Sequence, residues 1–155
     1  MLEEILAARP GVSTVVVAAG GGGLFAGVAA AAAERGVRVV VAEPEHCRAL
    51  NAGLAAGEPV DVPVRSVAAD SLGARRASAD AVRWAARPHV RSVLVPDEAI
   101  TAARREVWRT HRIAVEHSAA TALAALRTAA HVPAPDEETC VVLCGANTDP
   151  SDLAR

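Results

Sequence analysis

Four consecutive glycines, Gly20, Gly21, Gly22 and Gly23, follow the β-branched run Val15–Val17 and precede an alanine-rich segment. Glycine lets backbone N–H groups turn inward and approach a ligand closely. A helix that begins at this point adds unpaired N–H donors and the positive end of its dipole. Strand, glycine loop and helix in this order predict a site for an anion, and phosphate is the usual ligand of such sites.

The spacing of the glycines fits more than one phosphate ligand. Gly21-x-Gly23-x-x-Ala26 matches the GxGxxA fingerprint of dinucleotide sites, and Glu43 ends the next apolar run, where an acid can hold a ribose hydroxyl. A smaller phosphate ester is the second candidate, because four glycines in a row exceed what a dinucleotide needs. A tight turn that binds nothing is the third.

The remaining segments predict the scaffold that positions these groups. Buried apolar runs alternate with segments of helical spacing, and the chain ends in a run that leads directly into Cys144–Asn147. This order predicts an α/β fold of three layers with a mostly parallel sheet. The predicted strands are 12–18, 37–42, 90–95 and 139–143, and the predicted helices are 2–9, 24–35, 45–56, 79–87, 97–112 and 118–130.

Ligands of such sheets bind beyond the carboxyl ends of the strands. Four groups fall at those ends: the glycines, Glu43, the turn at Asp97, and the segment Cys144–Asn147. We therefore expect them to meet in one site. Asp97 is also expected to cap the helix that it begins.

Composition limits the classes of partner and compartment. A chain of 155 residues with net charge −2 and 2% aromatic residues predicts one domain that binds neither nucleic acid nor an anionic membrane. Cys47, Cys140 and Cys144 form no CxxC pair, and no signal peptide or spanning segment is visible, which indicates a cytoplasmic protein with reduced thiols. All sixteen basic residues are arginine, so this chain by itself cannot form a lysine Schiff base.

Five segments of the chain form a recognisable series. They are VVVAAGGGGLFAGVAAA with VVVAEPE, ADSLGARR at 69–76, VPDEAI at 95–100, VEHSAATALAAL at 115–126 and VVLCGANTD at 141–149. In this order along the chain, they resemble the serine/threonine dehydratases, which are pyridoxal-phosphate enzymes of the tryptophan-synthase-β-like fold (fold type II) related to serine racemase. The resemblance implies that residues 1–155 are one C-terminal portion of the large, cofactor-binding domain, which is therefore incomplete.

The resemblance also implies roles for individual residues. Gly20 to Gly23 would cradle the cofactor phosphate, and Cys144 would lie beside the pyridine nitrogen. Asn147 would hold the loop around the ring by side-chain hydrogen bonds, and Glu116 would lie near the ring. Without the resemblance, Cys144 is typical of a small core residue and Asn147 of a turn, while Glu116 is equally suited to cap the next helix.

Glu43 matches a carboxylate that binds a divalent or monovalent cation in some family members. The racemase-like members have a second acid six residues later, where this chain has Ala49. The resemblance therefore implies that any cation site here is incomplete. The alternative is a solvent-exposed acid at the end of a strand.

The resemblance does not include the family's N-terminal portion. That portion carries the catalytic lysine, an Asn that contacts the cofactor ring and the loop that binds the substrate carboxylate. The implied whole enzyme is a homo-oligomeric dehydratase that converts a small amino acid, L-threonine or L-serine, to a 2-oxoacid and ammonia. The chain alone is expected to be an inactive fragment. Two alternatives are a dinucleotide-binding module that uses Gly21, Gly23 and Glu43, and a non-catalytic degenerate fragment.

Overall fold

The structure, a computed structural model, describes residues 1–153. Four strands form one sheet: β1 Val12–Ala18, β2 Arg38–Pro44, β3 Val90–Val95 and β4 Glu138–Val141. Their order is β3-β2-β1-β4, and every neighbouring pair is parallel. All four strands therefore direct their carboxyl ends to the same edge of the sheet.

Within residues 1–153, seven α-helices flank the sheet on both faces and complete the three layers that the sequence predicts. Among residues 1–153, no helix has both the length and the apolar character needed to cross a bilayer. The helices are α1 Leu2–Ala8, α2 Gly23–Arg35, α3 Ala49–Ala56, α4 Ala69–Leu72, α5 Ala79–Ala85, α6 Asp97–His111 and α7 His117–Arg127.

Alternate residues of the central strands supply two separate cores. Val15 and Val17 of β1 point to one face, where they pack with α2, α3 and α5, and Val16 and Ala18 point to the other face, where α6 and α7 cover them. Alternation along a strand sends successive side chains to opposite faces. A strand covered on both faces is apolar throughout, which explains the continuous valine runs.

Besides shifts of up to three residues at the ends of other elements, the structure differs from the prediction in three places. The third helix begins at Ala49 rather than at residue 45, because residues 45–48 form a turn that follows β2. The one-turn helix α4 lies where the sequence indicated loop and turn. The predicted cap of α6 is wrong: Pro96 occupies the N-cap position, and the Asp97 carboxylate instead accepts hydrogen bonds from Ser66 Oγ (2.5 Å) and the Val67 amide (3.1 Å).

A buried carboxylate fastens the amino-terminal end of the sheet. The Glu137 carboxylate, 2% exposed, contacts Arg38 Nη2 at 2.9 Å and His131 Nε2 at 2.9 Å, and it accepts a hydrogen bond from the Ala134 amide at 3.1 Å. Burial alone would raise the pKa of Glu137, but its hydrogen bonds and the Arg38 charge outweigh burial and lower the pKa to about 2. The ionised carboxylate thus joins the beginning of β2 to the loop before β4.

The Glu137→Gln variant should lose about 1–3 kcal/mol of unfolding free energy at pH 7, because Arg38 loses its counter-charge and the buried position loses a charged hydrogen-bond acceptor. The pKa of Glu137 is depressed in the folded protein, so its contribution is present above the unfolded value of about 4.5 and is lost as pH falls toward 2. Urea unfolding at pH 7 and pH 3 measures both effects. The variant and the wild type should converge at low pH, and a constant difference would contradict the ionic role.

Candidate functional site

A cavity of about 280 Å³ lies at the carboxyl ends of β1 and β4. One wall is the glycine loop between β1 and α2, and the opposite wall consists of the beginning of α7 and the segment that follows β4. Ser71 and Leu72 of α4 also line the cavity. Among the predicted site residues, Gly20 to Gly23, Glu116 and Cys144 line this cavity.

The glycine loop presents backbone donors to the cavity. Gly22 is the N-cap of α2 and has a left-handed backbone (φ 88°, ψ 4°), and the helix follows directly from Gly23. The amides of Gly23, Leu24 and Phe25 belong to the first turn of α2, where backbone N–H groups find no acceptor within the helix. These residues line the cavity, so their N–H groups and the positive helix end suit an anion there.

At two of its four glycines, the loop packs closely against its neighbours. A Cβ on Gly22 would overlap the Cβ of Ala81 in α5, and a Cβ on Gly20 would lie 3.1 Å from the Leu72 backbone. The Ser78 amide donates to the Gly21 carbonyl at 3.0 Å and holds the loop from the α5 side. Glycine is therefore required at Gly22 both for its positive φ and for space.

The opposite wall is organised around the Glu116 carboxylate. One oxygen accepts a hydrogen bond from the Asn147 amide (2.8 Å), and the other accepts one from Ser118 Oγ (3.1 Å). The Glu116 amide donates to the Gly145 carbonyl at 3.0 Å. Glu116 occupies the N-cap position of α7, but its side chain accepts no capping hydrogen bond from that helix's backbone. It binds the loop after β4 instead, so the helix-capping alternative is wrong.

Cys144 borders the cavity and is not enclosed in the core. Burial raises the pKa of its thiol, and the nearby Glu116 charge raises it further, so the group is a neutral thiol at pH 7. Cys47, Cys140 and Cys144 are all free, as predicted. Asn147 takes part through its backbone amide.

The decisive comparison is with protein-family models: residues 1–145 match the family described as "Pyridoxal-phosphate dependent enzyme". The chain belongs to this pyridoxal-phosphate-dependent enzyme family. Pyridoxal phosphate is the family's cofactor, and its phosphate suits the row of unpaired amides at the start of α2.

Two relatives of this pyridoxal-phosphate-dependent chain carry dehydratase names. It is 33% identical over 118 residues to a phenylserine dehydratase of Ralstonia pickettii, covering 76% of this chain and 36% of that protein. It is 34% identical over 157 residues to a serine dehydratase-like protein of Mus musculus, covering 94% of this chain and 47% of that protein. The chain thus spans less than half the length of these two relatives.

Solved structures of the pyridoxal-phosphate-dependent family share the fold. A threonine deaminase from T.th. superposes with a TM-score of 0.82 at 29% identity, over 96% of this chain and 56% of that one. A maize serine racemase superposes with a TM-score of 0.85 at 29% identity, over 98% of this chain and 49% of that one. The predicted α/β class with a parallel sheet is confirmed.

Glu43 and Asp97 do not join the other predicted groups at the cavity. The Glu43 side chain is fully buried at the end of β2, and its oxygens accept hydrogen bonds from the Leu50 amide (2.8 Å) and the Asn51 amide (2.7 Å) of α3. The expectation that four groups meet in one site is therefore correct only for the glycine loop and the segment after β4. The alternative of a solvent-exposed acid is wrong for Glu43.

The Glu43 carboxylate is already bound by backbone donors. Both oxygens already face backbone donors, and within residues 1–153 no three His, Cys, Asp or Glu side chains are grouped so that they could hold a metal ion. The same two hydrogen bonds occupy the carboxylate that a dinucleotide ribose would need. A cation at Glu43 stays a prediction. In the structure, the carboxylate oxygens are bound by two backbone amides of α3.

Two residues of the site were missed in the sequence. Ser118 is buried and donates to Glu116, although serine in the first turn of a predicted helix is usually assigned to capping. Arg104 lies in α6, is 3% exposed, and donates to the Val115 carbonyl just before Glu116 and to Thr148 Oγ1 just after Asn147. Its sequence context, an arginine pair in an amphipathic helix, indicates a solvated face and conceals this burial.

The Gly145→Ala variant should weaken ligand binding at the cavity. Gly145 has φ 88°, and a Cβ there would lie 2.8 Å from the Glu116 carboxylate, so alanine must displace that group. We expect a loss of about 1–3 kcal/mol of unfolding free energy and weaker binding of pyridoxal phosphate. Gly57→Ala is the matched control, since Gly57 has φ 76° and open space around its Cβ position. Equal effects in the two variants would show that Glu116 is not disturbed.

Proposed function

We propose that this chain supplies the cofactor-binding portion of a dehydratase that acts on β-hydroxy amino acids, with L-threonine and L-serine as the first candidates. One observation carries the proposal: three separate segments bring the four glycines, Glu116 and Cys144 to a single cavity. The names of the dehydratase and threonine deaminase relatives support the reaction class.

The chain's own groups divide the binding task between the two walls. The amides at Gly20–Gly23 would bind the phosphate dianion of pyridoxal phosphate, because the helix N-terminus favours negative charge. Cys144 would face the pyridine nitrogen as a neutral thiol, with its raised pKa keeping negative charge away from the ring. Glu116 would hold this wall in place. Bound pyridoxal phosphate supplies an electron sink for bonds at the amino-acid α-carbon.

The chain does not supply the amine that such an enzyme needs. None of its 155 residues is lysine, so the group that holds the cofactor aldehyde and moves the α-proton would lie outside this sequence. Borohydride reduction in the presence of pyridoxal phosphate should therefore attach no cofactor to a side chain of this chain. Peptide mass mapping would detect such an attachment, and finding one would contradict the division of labour.

Ligand protection against unfolding tests the proposed function. Pyridoxal phosphate at about a hundred times its Kd should stabilise the chain by about 2.7 kcal/mol, whereas NAD at the same concentration should not. Inorganic phosphate should protect more weakly, because it fills only the glycine wall. If NAD protects and pyridoxal phosphate does not, the dehydratase portion is ruled out and a dinucleotide module is favoured.

A racemase is the second candidate reaction, because the maize serine racemase shares this fold at 29% identity. The two reactions differ in product, since a dehydratase releases a 2-oxoacid and a racemase releases the D-amino acid. The two reactions are separated by assaying both products from L-serine. The assay uses this chain together with the portion of the enzyme that carries the catalytic lysine.

A further inference from the structure

We infer that Arg104 is a positioning residue that fixes the cavity wall formed by Glu116, Gly145 and Asn147, here called the Glu116 wall. The inference rests on the proposed function, in which this wall lies beside the cofactor ring. It is carried by a closed circuit of hydrogen bonds that includes the guanidinium and the wall.

Arg104 is buried to an extent that is rare for arginine. It lies in α6 with 3% of its surface exposed. Arginine is seldom buried unless its donors are paired, because a desolvated charge costs several kcal/mol. Here its Nε donates to the Val115 carbonyl at 2.8 Å, and Nη1 contacts the Asp152 carboxylate at 2.6 Å. Its Nη2 donates to Thr148 Oγ1 at 2.8 Å and to the Asp149 carbonyl at 3.2 Å.

These acceptors adjoin the two halves of the Glu116 wall. Val115 directly precedes Glu116, and Thr148 directly follows Asn147. Two hydrogen bonds join the halves of the wall. The Asn147 amide donates to the Glu116 carboxylate, and the Glu116 amide donates to the Gly145 carbonyl. Arg104 therefore closes a circuit that runs from α6 through Val115 and Glu116, across to Asn147, and back through Thr148. The planar guanidinium fixes the directions of its donors, which a flexible ammonium does not.

The glycine loop is held independently of this circuit. Its neighbours are Leu72, Ser78 and Ala81, which belong to α4, α5 and the turn between them. Arg104 contacts none of these in its hydrogen bonds. Loss of the guanidinium should therefore loosen the ring-side wall and leave the phosphate-side wall intact. A merely structural role would weaken both walls together.

The test compares Arg104→Met, which keeps a long apolar stem without donors, with Arg105→Met, which removes an exposed arginine from the same helix. We expect Arg104→Met to weaken pyridoxal phosphate binding by at least about tenfold, a change of about 1.4 kcal/mol. Binding of inorganic phosphate should change by less than about twofold. Hydrogen exchange at the Asn147 amide should accelerate by at least about tenfold, because that amide loses its fixed acceptor. Arg105→Met should match the wild type in all three measurements.

Three results overturn the inference: unchanged pyridoxal phosphate binding in a folded Arg104→Met, equal loss of both ligands, or unchanged exchange at Asn147. If the wild type binds neither ligand, the proposed function fails, and the exchange measurement still decides whether Arg104 fixes the wall. If Arg104→Met does not fold, the double variant Thr148→Val/Asp152→Ala removes two acceptors at the far end and keeps the arginine. It should show the same split between the ligands, and a double variant that binds both as the wild type does also overturns the inference.

Discussion

The Gly22→Ala variant should lose about 2–5 kcal/mol of unfolding free energy, together with binding of phosphate and pyridoxal phosphate at the glycine loop. Two costs add. Alanine at φ 88° is strained by about 1–2 kcal/mol, and its Cβ would overlap that of Ala81, where overpacking costs about 1–3 kcal/mol. Ala81 belongs to the short helix α5 and has no flexible side chain that could move aside. Urea unfolding and ligand titration measure the two losses.

Three further variants separate the two costs. Gly36, the C-cap of α2, also has a positive φ (66°) but has open space around it, so Gly36→Ala should show the backbone strain alone. Gly27 lies within α2 with open space and no positive φ, so Gly27→Ala should be neutral or stabilise by up to about 1 kcal/mol. Gly22→Ala/Ala81→Gly should recover the steric part. If Gly22→Ala resembles Gly36→Ala, the loop does not pack against α5 as described.

The protein should become less stable between about pH 5 and pH 8 because of Glu43. Burial raises the pKa of Glu43 to about 7, and the amides of Leu50 and Asn51 only partly oppose this. The unfolded carboxyl ionises near 4.5, so between the two values the unfolded chain releases a proton that the folded chain retains. The stabilisation is complete below pH 4.5 and is lost as pH rises through 7. One pKa unit corresponds to about 1.4 kcal/mol, so the loss reaches about 3 kcal/mol.

Glu43→Gln should flatten this part of the pH profile, because the amide keeps the shape and does not titrate. Glu45→Gln is the control, since Glu45 is exposed two residues further on and should leave the slope unchanged. Unfolding by urea at intervals from pH 5 to pH 8 provides the comparison. Identical slopes in the wild type and Glu43→Gln would show that Glu43 does not titrate in this range. Stabilisation by millimolar Mg²⁺ or Ca²⁺ that Glu43→Gln abolishes would instead indicate a cation at this carboxylate.

The two glutamates illustrate how position in the fold reverses the effect of burial. Glu137 meets Arg38 and His131, so its pKa falls to about 2, whereas Glu43 meets only backbone donors in the core, and its pKa rises to about 7. Glu137 contributes its full stabilisation above the unfolded pKa of about 4.5, whereas Glu43 contributes its full stabilisation below that value. Nothing in the local sequence around either residue distinguishes these cases, because the partners of Glu43 and the cation at Glu137 come from other elements.

Much of the fold and part of the site could be predicted from the sequence. Valine runs buried on both faces, alternating with alanine-rich helical segments, determine a parallel three-layer sheet, because only such a sheet covers continuous apolar strands. The four glycines after the first strand predict where the second helix begins to within a few residues, and they predict an anion site at that helix N-terminus. Order along the chain also places Cys144 after the last strand, and hence at the same edge of the sheet as the glycines.

The tertiary structure alone decided what several polar groups do at the strand ends. Glu43 follows a strand, as a ligand-binding acid would, yet the turn after β2 brings the first amides of α3 onto it and removes it from the cavity. Asp97 begins a helix, yet it binds the loop at Ser66 and Val67.

The sequence by itself determined the glycine loop, the parallel sheet and the absence of a lysine, because these depend on residue type and on periodicity along the chain. Only the tertiary structure decided that Glu116 binds the loop after β4 and that Arg104 joins the two ends of that wall. The reason is physical: a hydrogen bond depends on direction and on distances of about 3 Å, and both are set by how the helices pack rather than by neighbouring residues.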